Sequence, residues 1–157
     1  VSFYREQLMN TKSNNWMIKK TIPSDRDQTH SLVELIISQL ESKNWDSREQ
    51  FQIQLAVEET LTNAIEHGNK RDPNKIVKVE CEISDEEFHI VVEDEGKGFQ
   101  RETIIDCTQD DRLELPRGRG VMLIESFMSE VDYGGRGNIV RMRRVKDDPK
   151  FVRTSDG

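Results

Sequence analysis

Between Leu32 and Val92 the apolar residues of this chain change period once, and that change limits the folds it can reach. Leu32, Leu35, Ile36 and Leu40 recur at helical spacing, as do Ile53, Ala56, Leu61, Ala64 and Ile65. After the turn-forming run Arg71-Asp72-Pro73-Asn74 the pattern becomes alternation: Val77, Val79, Cys81 and Ile83, then Phe88, Ile90 and Val92. Two amphipathic helices must bury their stripes against strands with one apolar side. The short Asp85-Glu86-Glu87 link makes those strands a hairpin.

The rest of the chain extends this plan. Residues 16–22 read as an edge-like strand ended by Pro23. The first helix is expected over 24–43, opened by Ser24 with Asp27 as a capping pair. The second is expected from Ser47, with Gln50 three residues on, to about His67, and Gly68 is the expected stop. Residues 95–119 are rich in glycine and charge and read as a functional lid. A short helix over 120–128 and a last hairpin, 131–133 with 138–145, close the domain around Gly134-Gly135-Arg136-Gly137. The order β, α, α, β, β, lid, α, β, β predicts an α+β two-layer sandwich, with helices on one face of a mainly antiparallel mixed sheet. Residues 16–145 form the expected domain, residues 1–15 a flexible N-terminal arm and residues 146–157 a flexible C-terminal tail.

Composition narrows the function classes. A single domain of 157 residues buries roughly 68–70% of its unfolded surface and needs no disulfide or structural metal. The two cysteines, Cys81 and Cys107, show no pairing pattern, which fits a reducing compartment. Only 34% of residues are hydrophobic, and no apolar run approaches the ~20 needed to cross a bilayer. No signal segment opens the sequence, so a cytoplasmic protein is expected. The 23 basic and 30 acidic residues leave a net charge of −7. Without a basic stripe, the chain is a poor candidate for grasping nucleic acid phosphates.

Three local patterns carry candidate chemistry. On the second helix Phe51, Leu55, Glu59 and Asn63 form one i, i+4 row that His67 extends, apolar first and polar last. Such a row is either running from packing into a cleft or is a solvated polar helix end. Asp94 continues the inward row of Phe88, Ile90 and Val92, so it must be paired or accept hydrogen bonds. It is either a satisfied turn acid or an acceptor for an amine of a ligand, with Gly96 and Gly98 permitting close backbone approach to a flat ring. Arg117-Gly118-Arg119-Gly120 precedes a helix, where free amides suit phosphate, though a hinge would look the same. The Walker and dinucleotide glycine spacings are both absent.

Taken together and in this order, the three patterns resemble the boxes of the GHKL ATPase superfamily, the histidine-kinase-like ATPase fold. Glu59-Thr-Leu-Thr-Asn63-Ala64-Ile65-Glu66-His67-Gly68 is similar to its N box, Asp94-Glu-Gly96-Lys-Gly98-Phe99 to its DxGxG box, and Gly118-Arg-Gly120-Val-Met-Leu123-Ile124 to its GxGxxL box. Within the superfamily the likeness is to the anti-sigma-factor serine/threonine kinases, the bacterial switch-protein kinases. The resemblance implies ATP and Mg²⁺ as cofactors. It implies that Glu59 is the general base, Asn63 the Mg²⁺ ligand, and Asp94 the acceptor of the adenine amine. Gly96 and Gly98 would line the base pocket, Gly118 and Gly120 would offer amides to the phosphates, and His67, Arg117 and Arg119 would support the phosphate side.

The implied activity is phosphorylation of a STAS-type anti-sigma-factor antagonist, in a partner-switching system that also engages a sigma factor. A homodimer is possible, and no membrane or direct nucleic acid partner is expected. Two departures stand out. Leu115 and Pro116 occupy the stretch where the family has a basic residue, and Gly137-Asn138 replaces its late Gly-Thr. They keep open an alternative, an ATP-binding module that sequesters a regulator without useful transfer. A detached histidine-kinase catalytic domain is a third reading.

Overall fold

The structure is a computed structural model that describes residues 15–97 and 116–151, with the backbone alone for 116–120. Strand β1 spans Trp16–Pro23, helix α1 Arg26–Ser42 and helix α2 Ser47–Asn63, which continues into a π-helical turn, Ala64–Gly68. Strands β2 (Ile76–Ile83) and β3 (Glu87–Glu93) follow, then helix α3 (Pro116–Phe127), strands β4 (Glu130–Gly134) and β5 (Ile139–Val145), and a 3₁₀ turn, Pro149–Phe151.

The five strands form one sheet in the order β1-β2-β3-β5-β4. Every pairing is antiparallel, because each neighbouring pair is either a hairpin or joined by a connection that returns across the sheet. The parallel component implied by a mixed sheet is therefore not found among the described residues. Register puts Ile22 beside Val77, Cys81 beside Ile90 and Ile90 beside Met142, so each strand sends one alternating row inward. That row packs against Leu32, Ile36 and Leu40 of α1 and Ile53, Ala56, Val57 and Leu61 of α2 in one buried cluster. The opposite face carries charge pairs such as Lys19–Glu80 at 3.2 Å and Arg143–Glu130 at 3.3 Å.

Both helix starts fall one residue from the expected caps. Asp25, not Ser24, caps α1 by accepting the Asp27 amide, and Asp46 caps α2 by accepting the Glu49 amide at 2.7 Å. Ser24 instead donates its hydroxyl to the Lys75 carbonyl at 3.0 Å. The first half of the expected tail is pinned: Asp147 N donates to Glu49 at 2.9 Å, and Phe151 lies under the Arg144 guanidinium, 3.7 Å from the ring centroid. All but the last residue of the expected arm (1–15), most of the lid (98–115) and the chain end (152–157) lie outside the described residues. Among the described residues no helix is long and apolar enough to cross a membrane.

Candidate nucleotide site

Helix α2 delivers two polar side chains to the edge of the core. Glu59 and Asn63 stand one turn apart and are half-buried, and neither side chain hydrogen-bonds to a described residue. Phe51, at the head of their row, is 58% exposed, so the row skirts the core and does not face into it. Burial pushes the Glu59 carboxyl above the ordinary glutamate range; the nearby His67 charge opposes that shift and Glu66 adds to it. A carboxyl kept basic in this way, with no partner to satisfy, is suited to taking a proton.

Beyond Asn63 the helix loosens by one residue per turn. Asn69 N donates to the Ala64 carbonyl at 2.8 Å, the i→i+5 bond of a π turn. This turn lays Gly68 against the end of β3. A Cβ at Gly68 would lie 2.3 Å from Asp94 Cγ, and one at Gly96 would lie 2.2 Å from the Gly68 carbonyl oxygen. Gly68 ends the helical segment, where the sequence placed its stop, but without the left-handed conformation of a glycine cap. It is glycine because the Asp94 carboxylate occupies the space of its side chain.

Asp94 is held from several sides. Its Oδ1 accepts the Gly96 amide at 2.7 Å. Its backbone exchanges two bonds with Asn138: Asn138 Nδ2 donates to the Asp94 carbonyl at 2.8 Å, and Asp94 N donates to the Asn138 carbonyl at 3.0 Å. Arg136 Nε donates to the Gly96 carbonyl at 2.7 Å. Fully buried Asn69 accepts the Glu95 amide at 2.7 Å and donates to the Ile76 carbonyl at 2.9 Å, tying the loop to β2.

Asn63 and Asp94 line one pocket, walled by Val92, Val121, Ile124 and Val140. Two polar groups over aliphatic walls are what a flat ring with an exocyclic amine requires. The Asp94 carboxylate, with the space that Gly68 and Gly96 leave it, could accept from a purine amine, and the open amide of Asn63 could hold a hard cation. Gly96 lies against Gly68 and so under Asp94. Glu59 sits a turn of α2 away from Asn63, with His67 close enough to feel its charge. Gly98 lies outside the described residues.

Arg117, Gly118, Arg119 and Gly120 fall in the first turns of α3, which starts at Pro116 and not at 120. Proline suits that first helical position, since its missing N–H needs no partner there. The amides of 117 and 118 are then the orphan donors of this helix end, and those of 119 and 120 belong to the helical ladder.

Three parts of this arrangement were not read from the sequence. Asn69 directly follows Gly68 in the N-box pattern, which was the available signal. Asn138 stood out only as a departure, yet it clamps Asp94. The π turn has no sequence signature. A larger, more open groove of about 590 Å³, lined by Pro23, Arg26, Ile65, Glu66 and Arg71, also borders that turn. Its charges are already engaged: Glu66 Oε1 accepts from Arg26 at 2.5 Å and from Arg71 at 3.0 Å. Among the described residues one trio of carboxylates, Asp46, Glu49 and Asp147, comes close together. Asp46 and Glu49 there accept backbone amides, and Glu49 also faces Arg144.

The sequence matches the family model described as the histidine kinase-like ATPase domain over residues 22–144. It is similar to the anti-sigma F factor of Clostridium perfringens, 38% identical over 82 residues, covering 51% of this chain and 59% of that protein. The anti-sigma F factor of Geobacillus stearothermophilus is 40% identical over 84 residues, covering 51% and 56%. That of Oceanobacillus iheyensis is 36% identical over 86 residues, covering 52% and 57%. The chain thus spans little more than half the length of the curated relatives it matches.

Proposed function

Because the chain belongs to the histidine kinase-like ATPase family, we propose that it is a Mg-ATP-dependent protein serine/threonine kinase that acts as an anti-sigma factor. Its substrate is a STAS-type antagonist, and its second partner is a sigma factor, which places the work in the cytoplasm. The single observation that carries this reading is the meeting of Asn63 and Asp94 in one cavity, with the partnerless, basic Glu59 a turn away.

Asp94 takes the hydrogen bond of the adenine amine, and Gly68 and Gly96 leave room for its carboxylate. Asn63 offers an amide oxygen to Mg²⁺, which when bound neutralises charge on the phosphates. Gly118 and the residues beside it turn the start of α3 toward the phosphate end. Glu59 removes the proton of the acceptor hydroxyl as its oxygen attacks the terminal phosphorus, whose bond to the bridging oxygen breaks so that ADP leaves.

The relatives named anti-sigma F factor support the regulatory half of the proposal. Leu115-Pro116, where a basic residue was expected, favours the second reading, a nucleotide-gated module that sequesters its partner without transfer. Incubation with γ-labelled ATP and a candidate antagonist separates the readings. Acid-stable label on the antagonist that disappears in Glu59→Ala supports the serine kinase. Nucleotide binding without transfer supports the module. Acid-labile label means a histidine acceptor and overturns the proposal.

A further inference from the structure

Helix α3 lines the cavity with Val121 and Ile124 near its start and ends against β5 and the C-terminal turn. The last carbonyls of a helix have no partner within it. Here cations take them. Arg144 Nη1 donates to the Phe127 carbonyl at 2.8 Å, and Lys150 Nζ to the Met128 carbonyl at 3.1 Å.

Arg144 is an unusual choice for its place. It occupies the inward row of β5 two residues after Met142 and is 2% exposed. Its Nη2 stands 3.6 Å from the buried Glu49 carboxylate of α2, its plane covers Phe151, and its Nε has no partner. A buried ion pair is weak as a source of stability, and a well-packed apolar side chain often does as well. What Arg144 adds over methionine is geometry: one fork ties the end of α3 to α2, to β5 and to the C-terminal turn.

We propose that Arg144 is a positioning residue for the phosphate side of the site, holding the C-terminal end of α3 so that the opposite end, with Gly118 and Gly120, stays in register with Asn63. This rests on the nucleotide site proposed above. Twelve residues of helix span about 18 Å, so a 10° pivot at Phe127 moves the first turn by about 3 Å. Misplacements of ~1 Å already matter for phosphoryl transfer. Asp94, held by Asn138, Gly68 and Gly96, does not depend on that pivot, and the pocket walls Val121 and Ile124 lie nearer to it than the first turn and move less.

The test compares affinity for ATP with affinity for adenosine, which has no phosphates, in the whole protein with Mg²⁺ present. Arg144→Met is expected to weaken ATP at least fivefold and adenosine less than twofold. Arg144→Lys, which keeps a donor for the Phe127 carbonyl, is expected to recover part of the ATP loss. An equal loss for both ligands, or no loss, overturns the inference. Should Arg144→Met fail to fold, exposed Lys150→Met removes the second donor, and an unchanged ATP-to-adenosine ratio there overturns it too. Wild-type protein that binds ATP beside unaffected variants sinks this inference alone. Wild-type protein that binds no ATP sinks the function proposed above along with it.

Discussion

Adding one methyl group at Gly68 tests the packing of the site against everything else the residue could do. A Cβ there would meet Asp94 Cγ at 2.3 Å, Oδ2 at 2.4 Å and Oδ1 at 2.5 Å. Ordinary contacts between such atoms fall at about 3.5–4.0 Å, so the carboxylate or the backbone must yield by more than ~1 Å. If the carboxylate turns away, the proposed adenine acceptor is lost. A hydrogen bond to a charged group is worth about 1.5–3 kcal/mol, or roughly ten- to a hundredfold in nucleotide affinity. If the backbone shifts instead, overpacking costs about 1–3 kcal/mol, and the melting temperature falls by about 3–10 °C in a domain this size. Helix propensity alone predicts the opposite sign, since alanine is favoured over glycine by about 1 kcal/mol. Calorimetric titration with Mg-ATP, paired with a melting curve, reads both routes at once. A Gly68→Ala protein that binds nucleotide like wild type and melts no lower would refute the reasoning.

Glu59→Gln is expected to cut phosphoryl transfer by about a hundredfold or more while leaving the ATP dissociation constant within about twofold, read by label transfer and calorimetry. Burial raises the Glu59 carboxyl, and the base must be ionised to act. The acidic limb of the wild-type rate profile is therefore expected above the ordinary glutamate range, and a limb at or below that range contradicts the role. Asn69→Ala leaves the Glu95 amide and the Ile76 carbonyl unpaired and is expected to cost about 2–4 kcal/mol in urea unfolding. The Arg143 guanidinium holds Glu87 below its ordinary range, and the Ser129 hydroxyl does the same for Asp148. Their contributions are present above about pH 4.5 and are lost as the pH falls through the lower folded values. Melting between pH 5 and pH 3 should therefore fall less steeply in Arg143→Gln than in wild type, and parallel curves would count against the pair.

The two-layer plan was legible because burial follows simple periods here. Val77, Val79, Cys81 and Ile83 alternate and are all buried, and Leu32, Ile36 and Leu40 keep helical spacing and are buried with them. The positions of Glu59, Asn63 and Asp94 came from the same periods together with the likeness of their boxes to a known family. What escaped was decided by contacts between distant segments. Arg144 reads as another surface charge between Arg143 and Val145, yet it follows Met142 in the inward row of β5, where Glu49, Phe127 and Phe151 cage it. Gly68 was legible as the helix end, but not as the residue whose missing side chain makes room for Asp94. Ser24 and Asp25, like Asp46 and Ser47, are adjacent candidates for one cap. Sequence cannot choose between such neighbours, because the choice rests on whether the other hydroxyl finds a partner such as the Lys75 carbonyl.

The central claim is that Asn63 and Asp94 share one nucleotide, and crystals grown with ATP and Mg²⁺ test it most directly. The account predicts the purine amine within hydrogen-bond distance of the Asp94 carboxylate and the phosphate-bound metal at the Asn63 side chain. Nucleotide density in the groove between Arg26 and Arg71, with the Asp94 cavity empty, would contradict it.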